Sequence, residues 1–140
     1  MSKFALVNID AVQGIQMFEK LVVDGVAPFD TFEDELEGKD RRSLEKIYFY
    51  MNEVANIRTL PNTKFKDITP RKENVKEYEF KEGNLRVYAI KKFGGKIIIL
   101  GGYKNRQKQD LRKFRSLKEQ YLNQEIEKTN KDEKSRTPKK

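Results

Sequence analysis

Apolar positions along the chain recur with two periods, and the changes of period mark the elements. "KFALVNI" (Lys3–Ile9) alternates as a short strand does. Gly14–Phe29 fits either a helix or a strand. Its middle, Met17–Val23, is rich in β-branched and aromatic residues and runs into Asp24-Gly25, a turn signal, which favours a strand. Pro28 ends that segment, and Phe29–Gly38 reads as a short acidic helix. Asp30 can cap its start, and Gly38 lies just past its end. From Asp40 to Pro61 the period is helical. Leu44, Ile47, Tyr48, Met51, Val54 and Ala55 recur at spacings of three and four, share one face, and predict core rather than a ligand box. Asp40 can cap this helix, and Pro61 lies beyond its end.

Pro61–Asn74 is a connection rich in turn formers. Three strands of a meander follow: Val75–Phe80, Leu85–Ile90 and Lys96–Tyr103, broken by "EGN" and "KKFGG". The unbroken Ile-Ile-Ile-Leu of the third predicts a strand covered on both faces. A last helix spans Lys108–Ile126, with Leu111, Phe114, Leu117 and Tyr121 as its apolar stripe. Arg112, Lys113, Arg115 and Lys118 take its other faces. Glu127–Lys140 has almost no apolar side chain to offset its ordering entropy, so it reads as a disordered basic tail.

Segregated runs of helix and strand predict an α+β fold: a small antiparallel sheet, made of the C-terminal meander and an N-terminal strand, packed against two N-terminal helices, with a basic C-terminal helix. One domain, residues 1–126, and the tail 127–140 account for the whole chain.

Charge alters this picture by its placement. The net charge is +8 over 140 residues. From Lys104 to Lys140 there are 13 Lys and Arg against 6 Asp and Glu, so +7 of that excess follows Tyr103. Such asymmetry fits a polyanionic partner, nucleic acid or an acidic protein, and it also fits a solvated tail. With no Cys there is no disulfide or thiolate chemistry, and with no His the commonest acid–base residue and metal ligand are missing. No metal-ligand spacing, phosphate loop or cofactor motif stands out. No apolar run approaches a membrane span, and "MSKFALVNIDAV" lacks a signal-peptide core, so a soluble cytoplasmic protein is expected.

Alternation places Tyr78 and Phe80 on one face of the first meander strand and Glu77 and Glu79 on the other. If Leu85, Val87 and Ala89 face the helices, then Arg86 and Tyr88 join the two carboxylates on an open face, and the third strand delivers Tyr103, Lys104 and Arg106 to its edge. The expected result is a concave patch of carboxylates, aromatics and cations. Ordinary cross-strand Glu–Arg pairing on a solvated face explains the same residues.

The segment "VKEYEFKEGNLRVYAIKKFGGKIIILGGYKNRQKQDLRKFRSLKEQYL" resembles the core of the RelE/ParE superfamily of type II toxins, in its HigB-like, phage-derived branch. The features that carry the resemblance are "KEYEF", "NLRVY", the apolar strand into "GGYKNRQK", and the basic helix, in that order. "LVVDGVAPFDTFEDEL" and the helix from Asp40 to Arg58 resemble the same branch, so about Leu21–Leu122 is covered. The resemblance implies a metal-independent, ribosome-dependent mRNA endoribonuclease with no cofactor, held inactive by a cognate antitoxin, often a helix-turn-helix protein. It further implies a monomer or a toxin–antitoxin hetero-oligomer, acting on ribosome-bound mRNA and not on a membrane. In such chemistry a base deprotonates the ribose 2′-OH and cations stabilise the phosphoryl charge. The implied roles are Glu77 or Glu79 as base and Arg86 and Lys104 as phosphate clamp, with Tyr88, Tyr103, Arg106, Lys108 and Arg112 binding RNA. RelE itself has lysines where this chain has Glu77 and Glu79, and a catalytic tyrosine near the place of Asp110. A non-catalytic RNA- or protein-binding module of the same fold, or a gyrase-directed ParE-type toxin, are the alternatives.

Overall fold

The computed structural model describes residues 2–136. Both N-terminal apolar runs are strands: β1 (Phe4–Asn8) pairs antiparallel with β2 (Met17–Val23). Two helices follow, α1 (Pro28–Asp34) and α2 (Gly38–Ala55). Next come a short strand β3 (Phe65–Asp67) and the meander β4 (Glu77–Glu82), β5 (Leu85–Lys92) and β6 (Gly95–Tyr103). A 3₁₀ turn (Lys104–Arg106) leads into α3 (Gln107–Arg136). The fold is α+β, a six-stranded sheet in the order β1-β2-β6-β5-β4-β3.

The sheet is mixed, not the antiparallel one expected. β2 lies parallel to β6, from Met17 beside Gly95 to Lys20 beside Ile98, because α1 and α2 carry the chain across one face between the hairpins. β3 falls inside the run 61–74 that reads as a connection. With Phe65 as its sole large apolar residue, it gives no period, and its pairing to Phe80 across β4 holds it. β4 begins at Glu77 rather than Val75.

Neither expected cap is used. Ala27 precedes α1, with Pro28 at its first position, and Glu37 precedes α2; neither helix has a side-chain cap bond. Asp30 and Asp40 stand inside the first turns, where a carboxylate still favours the helix dipole. Asp30 accepts a hydrogen bond from Lys20 Nζ at 2.7 Å. The corner at Gly38 has φ 52°, and α2 stops at Ala55, well before Pro61. α3 is longer than its apolar stripe: residues 127–136, expected to be disordered, continue it, and residues 137–140 of the expected tail lie outside the described residues. Glu, Lys and Arg, six of those ten residues, have high helix propensity, and elongating a nucleated helix is far easier than starting one.

Two apolar layers sandwich the sheet. On one face Phe29, Phe32, Leu44, Ile47 and Met51 pack on Phe80, Leu85, Val87, Ala89 and Ile98, as alternation predicts. On the other, Phe114 and Tyr121 of α3 pack on Leu21, Tyr88, Ile90, Ile97, Ile99 and Leu100. Burying Phe114 there contributes about 1.5–3 kcal/mol. β6 is buried along nearly its whole length, as its sequence predicts. The sheet face expected to be open is therefore roofed by α3.

Candidate nucleic-acid interface

A bulge in β6 prepares the junction. Ala89 pairs with Ile98 and Tyr88 with Leu100, so Ile99 is the extra residue and the alternation of β6 changes phase. After the bulge Gly101 faces α1 and Gly102 faces α3. A Cβ on Gly101 would stand 2.2 Å from the Phe32 ring, and one on Gly102 would stand 2.0 Å from the Asp110 carboxylate. The glycine pair thus lets two helices touch one strand from opposite sides. Asp110 then accepts a hydrogen bond from the Tyr103 N–H at 3.4 Å, and the Lys104 N–H donates to the Asn84 carbonyl at 2.8 Å. These bonds fix where β6 ends and the basic helix begins.

The carboxylates expected on an open patch are inside. Glu77 and Glu79 are 1% and 2% exposed. Glu77 accepts from Lys118 Nζ at 2.7 Å and from Arg115 Nε at 3.0 Å. Lys118 also donates to the Val75 carbonyl at 2.9 Å and reaches Glu73 at 3.3 Å. Glu79 accepts from Gln107 at the start of α3. Burying two carboxylates requires such partners, and α3 supplies them. Tyr88 is fully buried and stacked on Phe114 at 5.4 Å, so its ring is not free for a nucleobase. Burial, then the nearby Glu79 and Asp110, push its hydroxyl pKa up.

Arg86 and Lys104 do share one end of the sheet. Arg86 pairs with Gly102 on β6 and with Lys81 on β4, a cation that sequence reasoning passed over and that the hairpin register alone would have placed there. The Arg86 guanidinium donates to the Gly83 and Leu85 carbonyls at 3.0 and 2.7 Å. Its Nε and the Tyr88 hydroxyl are buried without a partner among the described residues. Along β4, Glu77 precedes Lys81, the cross-strand partner of Arg86, by four residues, which sets it roughly 13 Å from the Arg86 end.

Beyond the sheet the cations are exposed. Lys104, Arg106, Lys108, Arg112 and Lys113 lie on the 3₁₀ turn and the first turns of α3, and no carboxylate comes within ion-pair distance of any of them among the described residues. Arg115 and Lys118, further along, are committed to Glu77. Tyr103 is partly exposed beside this group, its ring edge-on to Phe32 at 5.6 Å. Burial raises its pKa, with Asp40 and Glu35 adding to the rise. The arrangement attracts anions at Lys104–Lys113 and buries its acid–base groups. Among the described residues, no three carboxylates gather as a metal would need, and no helix is long and apolar enough to cross a membrane. No family model matches the chain, and no curated protein or solved structure matches it.

Proposed function

We propose that this chain is an RNA-directed protein of the RelE/ParE toxin type, acting on ribosome-bound mRNA and restrained by an antitoxin, and that it meets RNA at the junction of β6 and α3. One observation carries the reading: Lys104, Arg106, Lys108, Arg112 and Lys113 are exposed, have no ion-pair partner among the described residues, and follow directly on β6, whose Gly102 pairs with Arg86. Uncompensated cations at that density favour a polyanion, whose bound counterions they displace. The order of helices, meander and basic helix supports the toxin resemblance.

Cleavage asks more than binding. A base must reach a ribose 2′-OH, and Glu77 and Glu79 are engaged beneath α3. That burial favours a second reading, a non-catalytic module of the same type that binds RNA without cutting it. One set of measurements separates the readings. The protein expressed alone should arrest growth, and Arg86→Ala should relieve the arrest. Single-stranded RNA should bind with a log–log salt slope of about −0.7 per neutralised phosphate. Lys104→Glu with Arg106→Glu should weaken that binding about tenfold. Arrest with mRNA cleavage on ribosomes supports the nuclease, and salt-dependent binding without cleavage supports the module. Binding indifferent to salt and to the charge reversals overturns both, and relaxed DNA supercoiling in place of RNA cleavage points to gyrase.

A further inference from the structure

β2 and β6 run side by side only as far as Lys20 and Ile98 and then part. Beyond β2 the chain enters α1 on one face of the sheet; beyond β6 it enters α3 on the other. Where adjacent parallel strands send their connections to opposite faces, a crevice opens at their carboxyl ends, the general ligand position of open sheets. Here that crevice measures about 230 Å³. The β6 backbone at Gly101 and Gly102 lines it, with the Phe32 ring packed over the first glycine and the Asp110 carboxylate over the second. Tyr103, edge-on to the buried Phe32, gives it an aromatic side, Asp110 and Glu35 supply carboxylates, and Arg106 and Lys113 lie at the mouth. Asp110 Oδ2 accepts the Tyr103 N–H, while its Oδ1 has no hydrogen-bond partner among the described residues.

We infer that this crevice takes one unstacked nucleobase, guanine, from the RNA whose phosphates lie on Lys104 and Arg106. The inference deepens the RNA-directed reading above and rests on it for the phosphates. The partly exposed Tyr103 ring suits the flat face of any base. The carboxylate selects: it accepts only, and guanine alone among the four bases offers it two adjacent donors, N1–H and the N2 amino group. Uracil would turn carbonyl oxygens toward Asp110 on both sides of its N–H. The crevice is thus the part of the junction that distinguishes sequence, and the cations the part that does not.

The test uses the full chain with GMP, UMP and inorganic phosphate, read by NMR at Phe32 and Tyr103, and with the labelled pentanucleotides UUGUU and UUUUU, read by fluorescence anisotropy. GMP should shift both aromatic resonances, whereas UMP and phosphate should leave Phe32 unmoved. UUGUU should bind about tenfold more tightly than UUUUU. Thr31 is exposed on the α1 rim of the crevice, so Thr31→Trp fills it from outside the core. That variant should bring UUGUU to the affinity of UUUUU with the salt slope unchanged, and Asp110→Asn should remove the guanine preference. Equal affinity for the two RNAs together with no GMP shift overturns the inference, as does a Phe32 shift reproduced by phosphate alone. If neither RNA binds but GMP still shifts Phe32 and Thr31→Trp abolishes the shift, the RNA reading fails and the crevice stands as a mononucleotide site.

Discussion

Lys96 is a buried ammonium with no carboxylate at ion-pair distance among the described residues. Its Nζ donates to Gln16 at 3.1 Å and lies 5.0 Å from the ring centre of Tyr78 and 5.9 Å from those of Phe18 and Phe65. Burial lowers its pKa, and the neighbouring Lys91 lowers it further. A lysine whose folded pKa lies below its unfolded value binds fewer protons in the folded state, so between the two values stability rises with pH. Desolvation of the charge works against the attraction of the three ring faces. Lys96→Met keeps the length and removes the charge. It should raise the melting temperature at pH 7 and flatten the rise of stability with pH below the ordinary lysine value. The window closes near pH 10, because Tyr48, Tyr88 and Tyr121, all raised by burial and Tyr121 to about 12, make the opposite contribution above their ordinary value. They stay protonated when folded and ionise when unfolded, so stability falls there. A less stable Lys96→Met at pH 7 would mean that the aromatic cage outweighs desolvation.

At the scale of elements, the seam between β4 and α3 decides what the protein can do. Glu77, Lys118 and Arg115 tie the two together inside the fold. Removing one partner of a buried pair leaves a charge without compensation, so Lys118→Met should destabilise by about 3–5 kcal/mol in denaturant unfolding. Glu77→Leu added to it should recover most of that loss, because the apolar pair suits its surroundings. A double variant no better than the single would show that Glu77 is held by Arg115 alone. Much of this seam was within reach of the sequence. The helical stripe of Leu44 to Ala55, the meander, and the inward set of Leu85, Val87 and Ala89 stand where the periods put them, because each of those residues has only one apolar surface to meet. Alternation tells which residues share a face, not whether a later helix covers it, so Glu77, Glu79, Arg86 and Tyr88 read as an open polar patch. The clue was Lys118: four residues after Phe114 and three before Tyr121, it falls on the apolar stripe of α3, where a lysine needs a buried anion. The cations from Lys104 to Arg112 were legible because only Asp110 opposes them in their own segment.

For the whole molecule, the placement of charge can be tested against its amount. Residues 128–140 hold six Lys and Arg against two Asp and Glu, half of the net +8, yet the last hydrogen bonds joining α3 to the sheet among the described residues run from Gln124 to Phe4. Lys128 and Lys131, beyond that tie, make no hydrogen bond to the sheet among the described residues, whereas the cations from Lys104 to Lys113 follow directly on the end of β6. A chain ending at Glu127 keeps every residue of both apolar layers, so its melting temperature should move by no more than about 2 °C. Its RNA salt slope should change by less than about 0.7, the share of a single phosphate contact, while Lys104→Glu with Arg106→Glu in the full chain should reduce the slope by about 1.4. If shortening the chain flattened the slope more than reversing the junction charges did, net charge rather than geometry would govern binding, and the junction would lose its claim as the RNA site.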